Sequence, residues 1–388
     1  METKKMKFET QLIHGGEPSP LIERAVTMPI FQSSTYEIAG NSSGEINYHD
    51  IKYVRLNNTP NHVALHEKIA QIEQGEAAIV SSSGMASITS ALLGLVGPGE
   101  HLIAQDNLYG GTLHFLKEFF PKMGREVTFF PSEQTDNLES YLKKNTRGIY
   151  VEAISNPLLK IPNLREVVNF SKRHDLVSMI DNTFPSPVNF NPIPFGFDVV
   201  LHSATKYLNG HSDVVAGAMV STREIVKKIM PLFNHLGGCL DPHACFLLHR
   251  GLKTLGVRVR SQNESALKVA KALEKCSKVS KVIYPGLVSH PDNSRAKEWF
   301  RGLGGMLSFE FDGTPEQADL ALKKLKIPFL APSLGGVESL YIRPAIASHS
   351  GISRADREKL GIKDNLVRVS IGLEDSEDLI EDFKSALN

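Results

Sequence analysis

Short apolar runs alternate with amphipathic helical patterns between residues 59 and 220. The apolar runs, which we predict to be strands, lie at residues 77–80, 101–106, 126–130, 148–153, 176–180, 198–201 and 214–220. The helical patterns lie at residues 61–74, 112–122, 137–143 and 164–174, and a further helix follows Gly84. A strand buried on both faces reads as a continuous apolar run, so this alternation is typical of a mostly parallel α/β sheet with helices on both sides.

The segments on either side of this stretch have a different character. Residues 1–57 are irregular, with a polar patch at 40–45, and are predicted to form an extended N-terminal arm that lies across its own domain or a partner subunit. Residues 58–256 form the sheet domain. In residues 257–388 the pattern is sparser and predicts a smaller C-terminal α/β domain. Its predicted helices lie at residues 264–275, 315–325 and 376–387, and its predicted strands at 282–284, 306–311 and 366–371.

Composition excludes several classes of protein. The 43 lysines and arginines balance 43 aspartates and glutamates, so the chain has no basic excess for nucleic acid or for an anionic membrane surface. The N-terminus lacks the apolar core of a signal peptide, and no apolar run approaches the length of a membrane span. Cys239, Cys245 and Cys276 lack the spacing of zinc or redox sites. His62 and His66 have no evident third ligand, so we assign them to a solvated face and expect a cytoplasmic protein without a metal site.

Lys206 lies where ligands bind in such sheets, directly beyond the carboxyl end of a predicted strand. It ends the sequence Ser203-Ala204-Thr205-Lys206, which follows the apolar run 198–201. Burial disfavours the ammonium form, and a Lys of lowered pKa is a nucleophilic amine able to form a Schiff base. The adjacent hydroxyls are natural donors to phosphate. The alternative is a surface Lys beside a polar turn.

Three further groups of residues follow other predicted strands. Asp181 follows the run 176–180, where a carboxylate can keep a pyridine nitrogen protonated; alternatively, it closes an Asx-turn or caps a helix. The segment Ser82-Ser83-Gly84-Met85 is either a plain turn or a helix start whose free N–H groups bind phosphate. Tyr109 follows the run 101–106 and either stacks on a planar cofactor or packs in the core.

Arg368 lies inside an apolar run, at residues 366–371. A buried guanidinium needs a partner, and a carboxylate is preferred, either that of a substrate or that of an Asp or Glu in the same domain. Together these features supply what is needed to bind pyridoxal phosphate and an amino acid. They are a Schiff-base amine, phosphate donors, a carboxylate for the ring nitrogen, a stacking aromatic ring and a carboxylate-binding guanidinium.

The chain resembles the Cys/Met-metabolism (trans-sulfuration) family of fold-type I pyridoxal-phosphate enzymes. The resemblance covers nearly the whole chain and rests on Ile13-His14-Gly15-Gly16, Tyr53-Val54-Arg55, Ser83-Gly84-Met85, Tyr109-Gly110-Gly111-Thr112, Asn156-Pro157, Asp181-Asn182-Thr183, Ser203-Ala204-Thr205-Lys206, Ser333-Leu334-Gly335-Gly336 and Leu366-Val367-Arg368. It implies a mostly parallel sheet of the seven-stranded type and pyridoxal 5′-phosphate as the cofactor. It also implies a homotetramer, built as a dimer of dimers, whose active sites are shared between subunits.

The resemblance implies a role for each matched residue. Lys206 would form the Schiff base and move protons, Asp181 would pair with the pyridine nitrogen, and Tyr109 would stack on the ring and exchange a proton. The residues that would bind the cofactor phosphate are Gly84, Met85, Ser203 and Thr205, joined by Tyr53 and Arg55 from the neighbouring subunit. The residues that would hold the substrate α-carboxylate are Asn156, Ser333 and Arg368.

Three other matched features bear on the reaction. Gly111 stands where methionine γ-lyases of the family carry Cys, which argues against that activity. Glu338 matches an acidic position of members that handle cystathionine, where it would receive the distal ammonium group; the alternative is a surface Glu. Residues 344–349 resemble a segment of lyase-type members.

The resemblance therefore implies γ-elimination on a sulfur amino acid, of the cystathionine γ-lyase type, with release of cysteine, 2-oxobutyrate and ammonia. The main alternative is cystathionine γ-synthase, which joins an acylated homoserine to cysteine; methionine γ-lyase and cystathionine β-lyase follow. A nicotinamide dehydrogenase would need a glycine fingerprint that the chain lacks. A non-catalytic binding protein would not need Lys206, Asp181, Tyr109 and Arg368 together.

Overall fold

A computed structural model of the chain describes residues 6–38, 51–351 and 353–387. The polar patch of the predicted arm, at residues 40–45, lies outside these ranges. Two sheets organise the described residues, one of seven strands and one of five. The prediction of an α/β fold with a large, mostly parallel sheet and a smaller second sheet is confirmed.

The larger sheet collects the carboxyl ends of six strands at one edge. Its strands are β1 (Ala77–Ser81), β2 (His101–Gln105), β3 (Glu126–Phe130), β4 (Thr146–Glu152), β5 (Val177–Asp181), β6 (Val199–His202) and β7 (Gly217–Ser221). Their order is β1-β7-β6-β5-β4-β2-β3, and only β7 runs antiparallel to its neighbours. The last residues of β4 and β5, Glu152 and Asp181, lie side by side in the register of the sheet.

Helices cover both faces of this sheet. They are α1 (Phe8–His14), α2 (Pro60–Glu73), α3 (Gly84–Leu95), α4 (Gly110–His114), α5 (Leu164–Arg173), α6 (Ser186–Asn189), α7 (Pro192–Phe195), α8 (Arg223–Leu236) and α9 (Pro242–Leu252). Neighbouring strand residues point to opposite faces. In β4, Ile149 and Val151 enter one hydrophobic cluster while Tyr150 enters another. Because both faces are buried, the strands read as unbroken apolar runs.

The smaller sheet follows α10 (Leu255–Leu273), a helix that contributes residues to two cores. Its strands are β8 (Val279–Ile283), β9 (Met306–Phe311), β10 (Phe329–Leu330), β11 (Leu340–Ile342) and β12 (Leu366–Ser370), in the order β10-β11-β12-β9-β8. Its remaining helices are α11 (Asn293–Trp299), α12 (Pro315–Leu322), α13 (Arg354–Lys359) and α14 (Ser376–Leu387). The predicted domain boundary after residue 256 falls in the first turn of α10 and stays a prediction.

Several helices were not evident from the sequence. No helix was predicted over α8 and α9, and α10 begins well before the predicted residue 264. In α10, Arg258 and Gln262 are buried and donate hydrogen bonds to the carbonyl oxygens of Tyr207 (2.9 Å) and Gly336 (2.7 Å). These inward polar side chains interrupt the apolar periodicity that marks a helix in sequence.

The solvated face assigned to His62 is wrong. His62 is fully buried, and its ring nitrogens lie 2.7 Å from Thr59 Oγ1 and 2.8 Å from the carbonyl oxygen of Leu240. His66 is half-buried. In the part of the chain that the structure describes, no helix is both long and apolar enough to cross a membrane.

Candidate active site

A cavity of about 780 Å³ opens at the carboxyl edge of the larger sheet. The ends of β4, β5 and β6 and the start of α3 form its floor, while β12 and the segments at 332–334 and 346–348 form the opposite wall. All of the predicted site residues border this cavity except Tyr53, Arg55 and Glu338. The cavity therefore brings together residues that are far apart in the sequence and come from both sheets.

Lys206 follows β6 and points into the cavity rather than into solvent. It is half-buried, and its Nζ donates a hydrogen bond to Ser333 Oγ at 2.7 Å. Desolvation, with a smaller contribution from the positive charge of Arg368, lowers the pKa of Lys206 to about 8. A substantial fraction of this amine is therefore neutral under mildly alkaline conditions, and the alternative of a surface Lys is wrong.

Asp181 ends β5 and is 8% exposed. Its Oδ1 accepts a hydrogen bond from the backbone N–H of Thr183 at 2.9 Å, so the Asx-turn alternative is correct for this oxygen. Burial raises the pKa of Asp181, and hydrogen bonds from Thr183 oppose the rise. Among the described residues no Lys or Arg forms an ion pair with this carboxylate. A cationic or N–H group in the cavity would complete its bonding.

The first turn of α3 and the segment after β6 form a small polar cup. Ser83 caps α3 by accepting the N–H of Ala86 at 3.1 Å, and the N–H groups of Gly84 and Met85 have no partner within the helix. A Cβ on Gly84 would lie 2.8 Å from the Cβ of Ser203, so only Gly permits this approach. The cup matches the phosphate-binding arrangement of a helix N-terminus.

Thr205 also borders the cavity, but its hydroxyl is engaged with the segment before β7. Thr205 Oγ1 accepts the N–H of Ala216 at 3.0 Å and donates to the Ala216 carbonyl oxygen at 3.1 Å. The hydroxyl would have to give up its bond to the Ala216 carbonyl oxygen to donate to a phosphate oxygen. Its contribution to phosphate binding stays a prediction.

Tyr109 precedes α4 and is 43% exposed, so the alternative that it packs in the core is wrong. Its backbone N–H donates to Glu152 Oε1 at 2.5 Å. A Cβ on Gly111 would lie 2.7 Å from Tyr109 Cε1, so the phenol ring fills the space that a side chain would need at residue 111.

Arg368 is 5% exposed and has only neutral partners among the described residues. Its Nη1 donates to Asn156 Oδ1 at 3.2 Å, and its Nη2 donates to the carbonyl oxygen of Ser333 at 3.0 Å. Burial lowers the pKa of Arg368 to about 10. The alternative of an ion pair with an acidic residue of its own domain is not observed, which leaves a buried cation at the cavity wall ready for an anionic ligand.

Ser333 has a backbone φ of +92°, which is unusual for a residue with a side chain. Such a conformation costs about 1–3 kcal/mol and is found mainly at functional sites. Here it places the hydroxyl of Ser333 on Lys206 and its carbonyl oxygen on Arg368.

The three predicted residues outside the cavity have other partners. Arg55 Nη1 donates to the carbonyl oxygen of Asn234 at 3.1 Å, and its guanidinium carbon lies 5.8 Å from the centre of the Tyr53 ring. Glu338 Oε2 accepts a hydrogen bond from Ser212 at 3.1 Å. The predicted roles of Tyr53, Arg55 and Glu338 are therefore not accounted for within the cavity of one chain.

Two polar residues at the cavity were given no role from the sequence. Thr183 bonds to Asp181, and its Oγ1 also accepts the N–H of Ser203 at 2.8 Å, so it joins the ends of two strands. Glu152 is 4% exposed and ends β4. The sequence does contain a signal for Glu152. An acidic residue inside the apolar run 148–153 is unusual, just as Arg368 is unusual inside the run 366–371.

The donors and acceptors of the cavity fit pyridoxal phosphate. The cup at Gly84 and Ser203 fits the phosphate group, and Asp181, which lacks a cationic partner in the described chain, fits a protonated ring nitrogen. Lys206 supplies an amine of lowered pKa for the aldehyde carbon, and Tyr109 presents an exposed ring at the cavity. When bound, this cofactor supplies an electron sink for the bonds at the substrate Cα.

Comparison with known proteins agrees with this arrangement. Residues 9–388 match the family described as Cys/Met metabolism PLP-dependent enzyme. A cystathionine gamma-lyase of Bacillus subtilis (strain 168) is 41% identical over 98% of this chain and 99% of the relative. A cystathionine beta-lyase of Lactococcus lactis subsp. cremoris (strain MG1363) is 42% identical over 98% of both chains.

A solved structure extends the similarity to three dimensions. The cystathionine gamma-lyase of Lactobacillus plantarum, in complex with L-serine, superposes with a TM-score of 0.92 at 37% identity over 98% of both chains. Sequence, fold and cavity agree, and pyridoxal phosphate is the cofactor that they indicate. The chain belongs to the Cys/Met metabolism family of pyridoxal-phosphate-dependent enzymes.

Proposed function

We propose that this enzyme cleaves the Cγ–S bond of cystathionine and releases cysteine, 2-oxobutyrate and ammonia. The observation that carries the proposal is the placement of Lys206 beside Arg368. One cavity holds an amine with a pKa of about 8 and a buried guanidinium whose partners are all neutral. This pair suits an α-amino acid, because the guanidinium binds the carboxylate and the amine acts on the proton at Cα.

Arg368, Asn156 and Ser333 would fix the substrate. The carboxylate would take its place beside the guanidinium of Arg368, with the amide of Asn156 and the hydroxyl of Ser333 as further partners. A planar guanidinium binds a carboxylate through two parallel hydrogen bonds, which sets the orientation of Cα as well as the affinity. Lys206 Nζ already bonds to Ser333, so the amine lies next to this carboxylate site.

Lys206 and Tyr109 would move the protons. The neutral amine of Lys206 would take the proton from Cα, release it to the cofactor and, neutral again, take one from Cβ; the Cγ–S bond would then break with its electron pair staying on the sulfur. A proton from the Tyr109 hydroxyl would complete the thiol of cysteine. Hydrolysis of the remaining four-carbon unit gives 2-oxobutyrate and ammonia.

One feature of the cavity favours a cystathionine lyase over a methionine lyase, and a second favours a lyase over a γ-synthase. Residue 111 is Gly rather than Cys, and the Tyr109 ring occupies the space that a Cys side chain there would need. The segment at 346–348 borders the cavity, and a Cβ on Gly110 would lie 2.2 Å from the Ser348 carbonyl oxygen. The segment that resembles lyase-type relatives is therefore packed tightly against the start of α4.

We also propose that Tyr53 and Arg55 act at the boundary between subunits. Tyr53 is 39% exposed and the cation–π pair that it forms with Arg55 lies outside its own cavity, which suits contact with the phosphate of a neighbouring subunit. Glu338 would receive the distal ammonium group of cystathionine. The contact of Tyr53 and Arg55 with a neighbour's phosphate requires a dimer, which we propose pairs further into a homotetramer.

Substrate competition tests the proposed reaction. We expect the kcat/KM for 2-oxobutyrate release from cystathionine to exceed the kcat/KM for cystathionine formation from an acylated homoserine and cysteine, and also that for methionine cleavage. A Lys206→Ala variant, reconstituted with cofactor, is the matched negative control. Faster cystathionine formation would identify a γ-synthase instead, and faster methionine cleavage would contradict the interpretation of Gly111.

A further inference from the structure

We propose that Glu152 is a positioning residue that ties together two walls of the cavity, one formed by Tyr109 and the other by Asn156 with Arg368. The proposal rests on the roles proposed above for Tyr109, Asn156 and Arg368. It assigns to Glu152 neither a contact with the reacting atoms nor a proton transfer.

Both carboxyl oxygens of Glu152 are used. Oε1 accepts the backbone N–H of Tyr109 at 2.5 Å, and Oε2 accepts the backbone N–H of Asn156 at 3.3 Å. The backbone N–H of Glu152 donates to Gln105 Oε1 at 3.1 Å, which fixes the end of β4 to the end of β2. The side chain is 4% exposed, so water does not offer alternative partners.

Each of these bonds supports a residue that borders the cavity. Tyr109 precedes α4, and its own side chain makes no capping hydrogen bond there, so Glu152 supplies the acceptor at this helix start. Asn156 in turn accepts a hydrogen bond from Arg368 at 3.2 Å. Movement at Glu152 would therefore displace the stacking ring and the carboxylate site together.

The charges around Glu152 explain how a buried acid can serve this purpose. Among the described residues no cation pairs with it, and its neighbour across the sheet is the second acid, Asp181. Burial and the charge of Asp181 raise the pKa of Glu152 well above its usual range. Because no cation occupies its two oxygens, both remain available to the N–H groups of Tyr109 and Asn156.

The Glu152→Gln and Glu152→Ala variants separate the two links. Gln has one acceptor oxygen and one donor NH₂ group, so it can accept only one of the two N–H groups. The shorter bond, to Tyr109, should be kept and the bond to Asn156 lost. We expect Glu152→Gln to raise KM about five- to tenfold with the cofactor dissociation constant within about twofold of wild type. Glu152→Ala should raise both KM and the cofactor dissociation constant by about tenfold or more.

The cofactor dissociation constant is measured on apoenzyme without substrate, from the visible absorbance and circular dichroism of the bound cofactor. KM is measured with whichever sulfur amino acid the wild type cleaves fastest. These two readouts stay valid even if the enzyme is not a γ-lyase, so failure of the proposed reaction is distinguishable from failure of this proposal. Glu310→Gln is the matched control, because Glu310 is a buried strand carboxylate, paired with Lys363, outside the cavity.

Lowered thermal stability with wild-type cofactor affinity and KM in both Glu152 variants would overturn the proposal, since a merely structural residue acts in that way. A Glu152→Ala variant that changes only one of the two constants would also overturn it. If Glu152→Ala does not fold, Glu152→Gln decides alone. A raised cofactor dissociation constant at unchanged KM would then contradict the assignment.

Discussion

Lys206, Asp181 and Arg368 each face the cavity without an ion-pair partner among the described residues. Three separate environments produce this condition. The amine is held by a hydroxyl, the carboxylate by Thr183, and the guanidinium by an amide and a carbonyl oxygen. Neutral partners keep these groups in place without satisfying their charge, so each retains a strong preference for a charged ligand of opposite sign.

The ionisation of Lys206 makes a prediction about cofactor capture. A protonated amine cannot attack an aldehyde, so the rate at which apoenzyme captures pyridoxal phosphate should rise with pH as the amine loses its proton. The pKa of Lys206 is lowered to about 8, so the midpoint of this rise should lie near pH 8. Stopped-flow absorbance measures the rate. A midpoint above pH 10, that of an ordinary Lys, would show that the amine is not desolvated as described.

Replacement of Arg368 tests the carboxylate site. Arg368→Lys keeps the positive charge but loses the planar pair of donors, so kcat/KM should fall about tenfold to a hundredfold, mainly through KM. Arg343→Lys is the control. Arg343 is also buried and forms an ion pair with Asp319, but it does not border the cavity. Equal losses in both variants would indicate a general effect on folding rather than a substrate contact.

At the scale of helices and strands, the cup depends on how closely the first turn of α3 approaches the segment after β6. Gly84→Ala would place a Cβ 2.8 Å from the Cβ of Ser203, so backbone must move. We expect the cofactor dissociation constant to rise about tenfold and the free energy of unfolding to fall by about 1–3 kcal/mol. Titration of apoenzyme and thermal unfolding measure the two quantities.

Gly351→Ala serves as the comparison for this variant, because a Cβ there meets no atom within 4 Å. Gly351→Ala should change neither the cofactor dissociation constant nor the free energy of unfolding. If Gly84→Ala also behaves like wild type, the cup is not the phosphate site.

The parallel sheet was predictable because its strands are buried on both faces. The prediction placed β3 at residues 126–130 and β9 at 306–311, as in the structure, since each is a short apolar run. It did not anticipate α9, nor the first turns of α10, where buried polar side chains break the helical period. Tertiary partners, such as the Tyr207 carbonyl oxygen for Arg258, stabilise these segments and have no local signature.

The residues at the cavity also divide into those with a local sequence signal and those that depend on tertiary packing. Lys206 and Asp181 could be found because each lies at or shortly beyond the carboxyl end of a strand, where parallel sheets bind ligands. Ser333 had no local signal and came only from the family resemblance, because its approach to Lys206 depends on how the two sheets pack. Glu152, like Arg368, is an ionisable residue within an apolar run, but nothing local indicates that its partners are the backbone N–H groups of Tyr109 and Asn156.

At the scale of the whole molecule, the position of Tyr53 and Arg55 outside their own cavity makes a prediction about assembly. If these residues complete a neighbour's site, a chain with Lys206→Ala and a chain with Arg55→Ala fail for different reasons. A mixed dimer then holds one site with both residues intact. Unfolding and refolding the two variants together should produce activity that neither has alone.

Refolding each variant by itself provides the control for this experiment. Native mass spectrometry, with one of the two variants isotopically labelled, shows whether mixed dimers have formed. Mixed dimers without recovered activity would place Arg55 in the site of its own chain or outside the mechanism.

The thiol that is released from cystathionine reports directly which carbon–sulfur bond the enzyme cuts. Mass spectrometry of the products from cystathionine and the purified holoenzyme distinguishes the two bonds. We expect cysteine in a one-to-one ratio with 2-oxobutyrate, and neither product with Lys206→Ala. Homocysteine with pyruvate would mean that the Cβ–S bond is cut, and would contradict the proposed reaction.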